Sequence, residues 1–259
     1  MMLIDSHCHL EYKGLVEDQA GVLSRAREAG VGAFLNISTK QSEWEQVVAT
    51  ATRESHVFAS VGIHPHEADG HEDLGRAVLL NATENPRVIA IGETGLDYYY
   101  EHSDRENQAK LFRMHIDVAR ETGLPVIIHT RDAEDDTYEI LEDELAKGAF
   151  PALIHCFTAS QAFGRKVLDL GLTISLSGIV TFKNAKDLQE TARQVPDNRL
   201  LVETDSPFLA PVPHRGKPCE PAFVADTARF VAGLRGVDPA LLAGQTTANF
   251  ARLFDKAGL

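Results

Sequence analysis

Eight short runs rich in β-branched and aliphatic residues recur along the chain, at 3–5, 33–37, 58–62, 88–92, 126–128, 152–154, 172–176 and 200–203. Longer stretches with helical spacing separate them. Alternation of this kind demands parallel strand pairing through right-handed crossovers, and eight parallel strands are the number that closes on itself. The expected fold class is therefore α/β, a TIM-like (β/α) barrel with parallel strands. A length of 259 residues suits one such unit, so residues 1–259 are read as a single barrel domain.

The intervening stretches carry helix signals. Between 104 and 121, Phe112, Ile116 and Ala119 fall at i, i+4 and i+7 among charged neighbours, and Gly123 and Pro125 stop the run. Gly30 ends the first helix, and Gly171 ends the one that begins near Ser160. Two further helices are expected at 222–234 and 239–253. The irregular Pro-rich stretch from Pro207 to Pro221 follows the last strand, where a barrel places a substrate-facing loop.

Composition excludes several classes. A hydrophobic share of 44% with 24% charged residues is that of a globular chain, not a disordered or fibrous one. No apolar run approaches the ~20 residues that span a bilayer, and the opening Met-Met-Leu-Ile-Asp-Ser-His lacks the basic and apolar parts of a signal peptide. Cys8, Cys156 and Cys219 have no metal-type or redox-type spacing, which fits reduced thiols in a cytoplasmic protein. The net charge of −13 argues against a long basic nucleic-acid groove. It leaves room for an enzyme that grips a short strand end, because bound cations make an acidic body locally electropositive.

The chemistry-bearing residues share one kind of place, the C-terminal end of an expected strand. His7 and His9 follow the first, His64 the third, Glu93 the fourth, His129 the fifth, His155 the sixth and Asp205 the eighth. In a β/α barrel those ends converge on one face. Within Asp5-Ser6-His7-Cys8-His9, side chains two apart point the same way, so both imidazoles can reach one ion while Cys8 faces away. Each of these residues also has a bland reading. His-X-His can be a solvated turn, His129 and His155 satisfied core histidines, Glu93 an ion-pair partner of Arg131, and Asp205 a helix cap. Four histidines and two carboxylates at the same end of five strands outweigh those readings jointly. Six ligands exceed one tetrahedral site. With Glu93 as a bridge they suit two divalent ions roughly 3.5–4 Å apart.

The sequence resembles the TatD family of metal-dependent deoxyribonucleases, among the amidohydrolase-like barrel hydrolases. The matching segments are Ile4-Asp5-Ser6-His7-Cys8-His9-Leu10, Gly62-Ile63-His64-Pro65-His66, Gly92-Glu93-Thr94-Gly95-Leu96-Asp97-Tyr98 and Pro125-Val126-Ile127-Ile128-His129-Thr130-Arg131-Asp132-Ala133. His155-Cys156-Phe157, Glu203-Thr204-Asp205-Ser206-Pro207, Arg215-Gly216-Lys217 and Thr247-Ala248-Asn249 continue the series in family order. The resemblance implies a barrel that holds two divalent ions, with His7, His9, Glu93 and Asp205 on one and Glu93, His129 and His155 on the other. It also implies cleavage of DNA phosphodiester bonds, by exonucleolytic trimming of single-stranded ends. One departure is Pro218-Cys219-Glu220-Pro221, where the family has a segment containing Asn-Glu-Pro. Cys219 replaces a polar contact in the loop over the site, which touches substrate preference and not the ligands.

On this basis Asp205, Glu93 and His64 are the catalytic candidates. Asp205 would accept the proton of the attacking water. For His64 two readings stand, a donor to the phosphate or leaving oxygen and a residue that supports a ligand from behind. Arg215, Lys217 and Arg131 are candidate phosphate contacts, and Tyr98, Tyr99 and Tyr100 could stack on an unpaired base. His115, His56, His71 and His102 are given no chemistry. The ligand mix admits magnesium, manganese or zinc. A monomer with no obligate protein partner is expected, acting on short or single-stranded DNA ends. The rival readings are a barrel hydrolase of an amide, ester or lactone and, from another class, a non-catalytic metal-stabilised partner protein.

Overall fold

The computed structural model of the protein describes residues 2–259. Eight parallel strands pair in sequence order, β1 Leu3–Cys8, β2 Val31–Asn36, β3 Val57–Val61, β4 Val88–Asp97, β5 Val126–Arg131, β6 Ala152–Ile154, β7 Thr173–Leu176 and β8 Leu200–Val202. Closure is made just past β8. The Asp205 amide donates to the His7 carbonyl and the His9 amide to the Ser206 carbonyl, both at 2.9 Å, and the Ser6 hydroxyl donates to the Val202 carbonyl at 3.0 Å. The expected TIM-like barrel is the fold.

Strand residues alternate between two apolar clusters, as a period of two requires. Leu3, Phe34, Val57, Val88 and Leu200 join the layer beneath the surrounding helices. Ile4, Leu35, Phe58, Ile89, Ile127, Leu153 and Leu201 fill the barrel, together with Phe250 and Phe254 from the C-terminal end of the chain. All but Leu35 of these strand residues stand second in their strands, and helix α9 (Pro239–Leu253), packed on β1 and β8, closes the N-terminal mouth. Asn249 ties it there, donating to the carbonyls of Asp197 (2.7 Å) and Leu200 (2.8 Å). The other mouth is left to the polar residues.

The helices between strands are α1 Gln19–Glu28, α2 Trp44–Arg53, α3 Arg76–Ala82, α4 Arg105–Thr122, α5 Glu134–Lys147, α6 Gln161–Asp169 and α7 Lys186–Gln194, with α8 Val224–Arg235 before α9. Their ends follow local chemistry. Asp104 caps α4 by accepting from the Glu106 amide at 2.8 Å, and Gly123 ends it in the left-handed conformation at φ 73°. Ser160 caps α6 at the Phe163 amide.

Three strands outrun their expected ends, β1 and β5 by three residues each and β4 the furthest. β4 runs on to Asp97, five residues past the apolar run that ends at Gly92. A register shift between Ile91 and Thr94 lets Gly95 pair with His129 and Asp97 with Arg131. Gly95 permits it, since at φ 135° an added Cβ would meet the His129 carbonyl oxygen at 2.0 Å. By local composition Gly-Glu-Thr-Gly is a turn; pairing with β5 makes it strand.

His115, on α4, is structural. Its Nδ1–H donates to the Leu111 carbonyl at 2.7 Å and its Nε2 accepts from the Ile63 amide at 3.0 Å, joining α4 to the end of β3. Burial lowers its pKa to about 4 from the usual 6.5. The native ring stays neutral while the unfolded chain protonates below 6.5. This contribution is therefore whole above pH 6.5 and lost as pH falls through 4, up to about 3 kcal/mol. Denaturant midpoints measured between pH 7 and 4 are expected to fall less steeply for His115→Gln than for the parent.

Candidate metal centre

The imidazoles and carboxylates expected at the strand ends meet at the C-terminal mouth, around Glu93. Glu93 Oε1 lies 2.7 Å from His155 Nε2, 3.0 Å from His129 Nδ1 and 3.4 Å from His64 Nε2. Its other oxygen lies 3.4 Å from His7 Nε2. One carboxylate, 3% exposed, thus faces four imidazoles. His7 carries the arrangement to a second group, with His9 Nε2 at 3.3 Å and Asp205 Oδ1 at 3.5 Å. His9 and Asp205 are 3.4 Å apart. Cys8 turns the other way, toward the Leu35 carbonyl, as two-residue periodicity requires.

These spacings suit cations. Ligand atoms roughly 2.1 Å from one tetrahedral ion stand roughly 3.4 Å from each other, and the triangle of His7, His9 and Asp205 has that size. His129 Nδ1 and His155 Nε2, 3.5 Å apart, form a second triangle with Glu93 Oε1. Nitrogen lone pairs aimed at one another across such distances are repulsive without a proton or a cation between them. His7–Glu93–His155, His7–His9–Asp205 and His64–Glu93–His129 are three sets able to hold an ion.

The far side of each ring explains its orientation. His9 Nδ1 meets the Ile37 carbonyl at 3.3 Å, His155 Nδ1 meets Glu203 Oε1 at 3.2 Å, and His129 Nε2 meets Asp97 Oδ2 at 3.0 Å. A hydrogen bond at one nitrogen leaves the other's lone pair for the centre. His7 Nδ1, by contrast, has no partner among the described residues. Its ring is held by stacking on His155, with centroids 4.0 Å apart.

His64 behaves differently. Its Nδ1 accepts from the His66 amide at 3.1 Å, so the proton of the neutral ring belongs on Nε2, the atom facing Glu93. Burial holds its pKa well below the ordinary value, which keeps that neutral form. In that tautomer Nε2–H points toward Glu93.

Electrostatics match the geometry. Burial opposes charge on Glu93, but the charge of His155 and the hydrogen bonds from His129 and His155 outweigh it and hold the carboxyl well below its usual range. Burial likewise opposes ionisation of Asp205, and the His9 contact overcomes it. Asp5, buried beneath the centre, goes the other way; desolvation pushes it up to about 8 although it accepts from the Thr204 amide (2.8 Å) and hydroxyl (2.6 Å).

Four contributors are not singled out by the sequence: Asp5, His66, Asp97 and Glu203. Asp97 Oδ2 receives both His129 Nε2 and His66 Nε2, the latter at 2.9 Å, while Oδ1 accepts the Tyr99 and Tyr100 amides at 3.0 Å each. Glu203 accepts the Cys156 amide at 2.7 Å besides His155. The alternation Glu93, Gly95, Asp97 was the available signal for one of them, once β4 is known to run that far.

The centre opens into a cavity of about 620 Å³ lined also by Tyr12, Thr39, Tyr100, Arg131, Ile179 and Phe208. Of the three expected phosphate contacts, Arg131 lines it, and its guanidinium lies 4.0 Å from the Tyr99 ring centre instead of pairing with Glu93. Arg215 and Lys217 are exposed on the loop after β8 and are not lining residues; Arg215 rests on the Phe182 ring. Cys219 is buried, and its amide donates to the Pro207 carbonyl at 3.0 Å, a backbone bond that does not require the family's Asn side chain.

A parallel β/α barrel with this imidazole–carboxylate cluster at its C-terminal mouth defines the class of barrel metal-dependent hydrolases. The model of the TatD related DNase family matches residues 4–255, and the chain belongs to that family. It is 46% identical over 98% of its length, and 96% of the other chain, to the Escherichia coli K12 "uncharacterized metal-dependent hydrolase YcfH". It is 36% identical over 98% of its length, and all of the other chain, to the "3'-5' ssDNA/RNA exonuclease TatD" of Erwinia tasmaniensis. The solved structure of YjjV, a TatD homologue from Escherichia coli K12, superimposes with a TM-score of 0.91 at 28% identity, over 98% of each chain. An organophosphorus hydrolase from Deinococcus radiodurans shares the fold at a TM-score of 0.65 and 19% identity, covering 97% of this chain and 92% of its own.

Proposed function

We propose that the protein is a nuclease that uses two divalent ions to hydrolyse phosphodiester bonds at the ends of single-stranded DNA. The observation that carries this reading is Glu93, whose two oxygens face the His129–His155 pair on one side and His7 on the other. His7, His9, Glu93 and Asp205 would hold one ion and Glu93, His129 and His155 the other. When bound, the ions would polarise the phosphoryl group and lower the pKa of the attacking water. Magnesium, manganese and zinc all suit these donors.

The chain's own residues supply the proton chemistry. Asp205, ionised at neutral pH and part-exposed to the cavity, takes the proton of the attacking water. Water oxygen bonds to phosphorus as the bond to the leaving oxygen breaks. Nε2–H of His64 donates to the developing negative charge, on the phosphoryl or the leaving oxygen. Arg131 binds a neighbouring phosphate. The relative from Erwinia tasmaniensis, named for exonuclease action on single-stranded DNA and RNA, supports this substrate class.

No helix among the described residues is long and apolar enough to cross a membrane. A cytoplasmic monomer, one barrel domain over residues 1–259, is the accompanying proposal. The deciding experiment combines metal analysis with digestion of 5′-labelled single-stranded oligonucleotides, beside a panel of carboxyl esters, amides and lactones. About two ions per chain and a ladder shortening from the 3′ end are expected. Turnover of the carbonyl substrates without any DNA cleavage would replace the nuclease with the rival hydrolase, and two bound ions with no turnover of any substrate would favour the partner protein.

A further inference from the structure

Two large aromatic side chains stand half in solvent at the mouth of the cavity, Phe208 at 50% and Tyr100 at 49% exposure. Phe208 follows β8 and Tyr100 follows β4, four strands apart in an eight-stranded barrel. They therefore flank the Glu93 cluster from opposite sides. Leaving a phenylalanine ring half-wet forfeits apolar burial that the fold could otherwise collect.

Neither ring is loosely held. The Phe208 amide donates to the Asp205 carbonyl at 2.9 Å. The next carbonyl, that of Leu209, presses so closely on Gly178 that an added Cβ there would meet it at 2.1 Å. Tyr12 meets the Phe208 ring edge-on, with centroids 6.0 Å apart, and itself stacks on His9. Across the mouth, Asp97 receives the Tyr100 amide at 3.0 Å. The Tyr100 ring lies parallel to His102, and Arg131 sits 4.7 Å from its centre. Each aromatic is thus joined to the centre by short links: Phe208 through Asp205, Tyr100 through Asp97 and His129.

We propose that Phe208 and Tyr100 are two stacking platforms that grip the unpaired nucleobases on either side of the scissile phosphate; this rests on the nuclease reading above. Flat apolar faces suit every base, so such a grip tolerates sequence and requires a single strand, whose bases have free faces. It also answers the charge of the protein. Among the described residues, Arg131 is the one Lys or Arg lining the cavity, too few to bind a strand by its backbone alone. Stacking supplies the affinity that an acidic surface withholds.

The test uses the metal-loaded full chain and two single-stranded oligonucleotides, one intact and one with abasic sites at its last two 3′ positions. The parent is expected to show a KM at least about tenfold lower for the intact strand. In Phe208→Leu and Tyr100→Leu that preference collapses, mostly through KM, and Phe208→Trp restores it. Binding is read apart from turnover by 2-aminopurine at the 3′ terminus, which stacking quenches in the parent and which stays bright with Phe208→Leu. Cleavage of both strands with equal KM, or variants that keep the parent's preference, overturns the platforms and leaves the nuclease standing. Quenching without cleavage by the parent overturns the nuclease and leaves the platforms.

Discussion

Asp205→Asn is expected to lower turnover of a phosphodiester by at least about two orders of magnitude, the scale of losing a positioned general base. The variant tests chemistry and not folding. Asp205 sits at φ 59°, in the left-handed region where Asn is as well tolerated as Asp. Its amide bond to the His7 carbonyl, which helps close the barrel, is untouched by the change. What disappears is the anionic oxygen 3.4 Å from His9 and 3.5 Å from His7. Metal content and the thermal midpoint should be measured on the same preparation. A slow enzyme that keeps both ions identifies a proton acceptor, whereas loss of one ion identifies a ligand whose charge was essential. An unchanged rate with both ions present removes Asp205 from the chemistry altogether.

The larger loss is expected at Glu93. Glu93→Gln should lower activity by about three orders of magnitude, the equivalent of about 4 kcal/mol of lost charge stabilisation, and should reduce bound metal below two ions per chain. The carboxylate is the common neighbour of His7, His64, His129 and His155. A carboxamide of the same shape keeps one oxygen but turns a donor group toward one side of the cluster, where an acceptor is needed. One triangle of donors then loses its anionic member. Inductively coupled plasma mass spectrometry after dialysis reads the stoichiometry directly. Two tightly held ions and full activity in Glu93→Gln would leave the bridge without support. An activity deficit that excess manganese repairs would show weakened affinity with the ion geometry intact.

Much of the site is legible from strand ends alone. A strand of a parallel barrel delivers the residue at its C-terminal end to the mouth. Counting eight apolar runs and reading the residues just beyond each one therefore places His7, His9, His64, Glu93, His129, His155 and Asp205 together. That inference needs only periodicity and topology. It does not extend to the carboxylates behind the rings. Glu203 lies 48 positions from His155, and Asp97 reaches His129 only because β4 continues five residues past Gly92 in a shifted register with β5. The roles of His64 and Arg131 were likewise undetermined. The His66 amide selects the His64 tautomer, and tyrosine faces, not Glu93, receive the arginine.

The amino-acid order by itself determined the barrel and the ring of donors at its mouth, because strand count and two-residue alternation are local properties that every β/α crossover obeys. Tertiary structure alone decided which nitrogen of each histidine faces inward, which cation lines the cavity, and which aromatics stand over it. Those depend on hydrogen bonds and ring contacts between segments remote in the chain, and a one-residue shift of register changes them without altering a single apolar run.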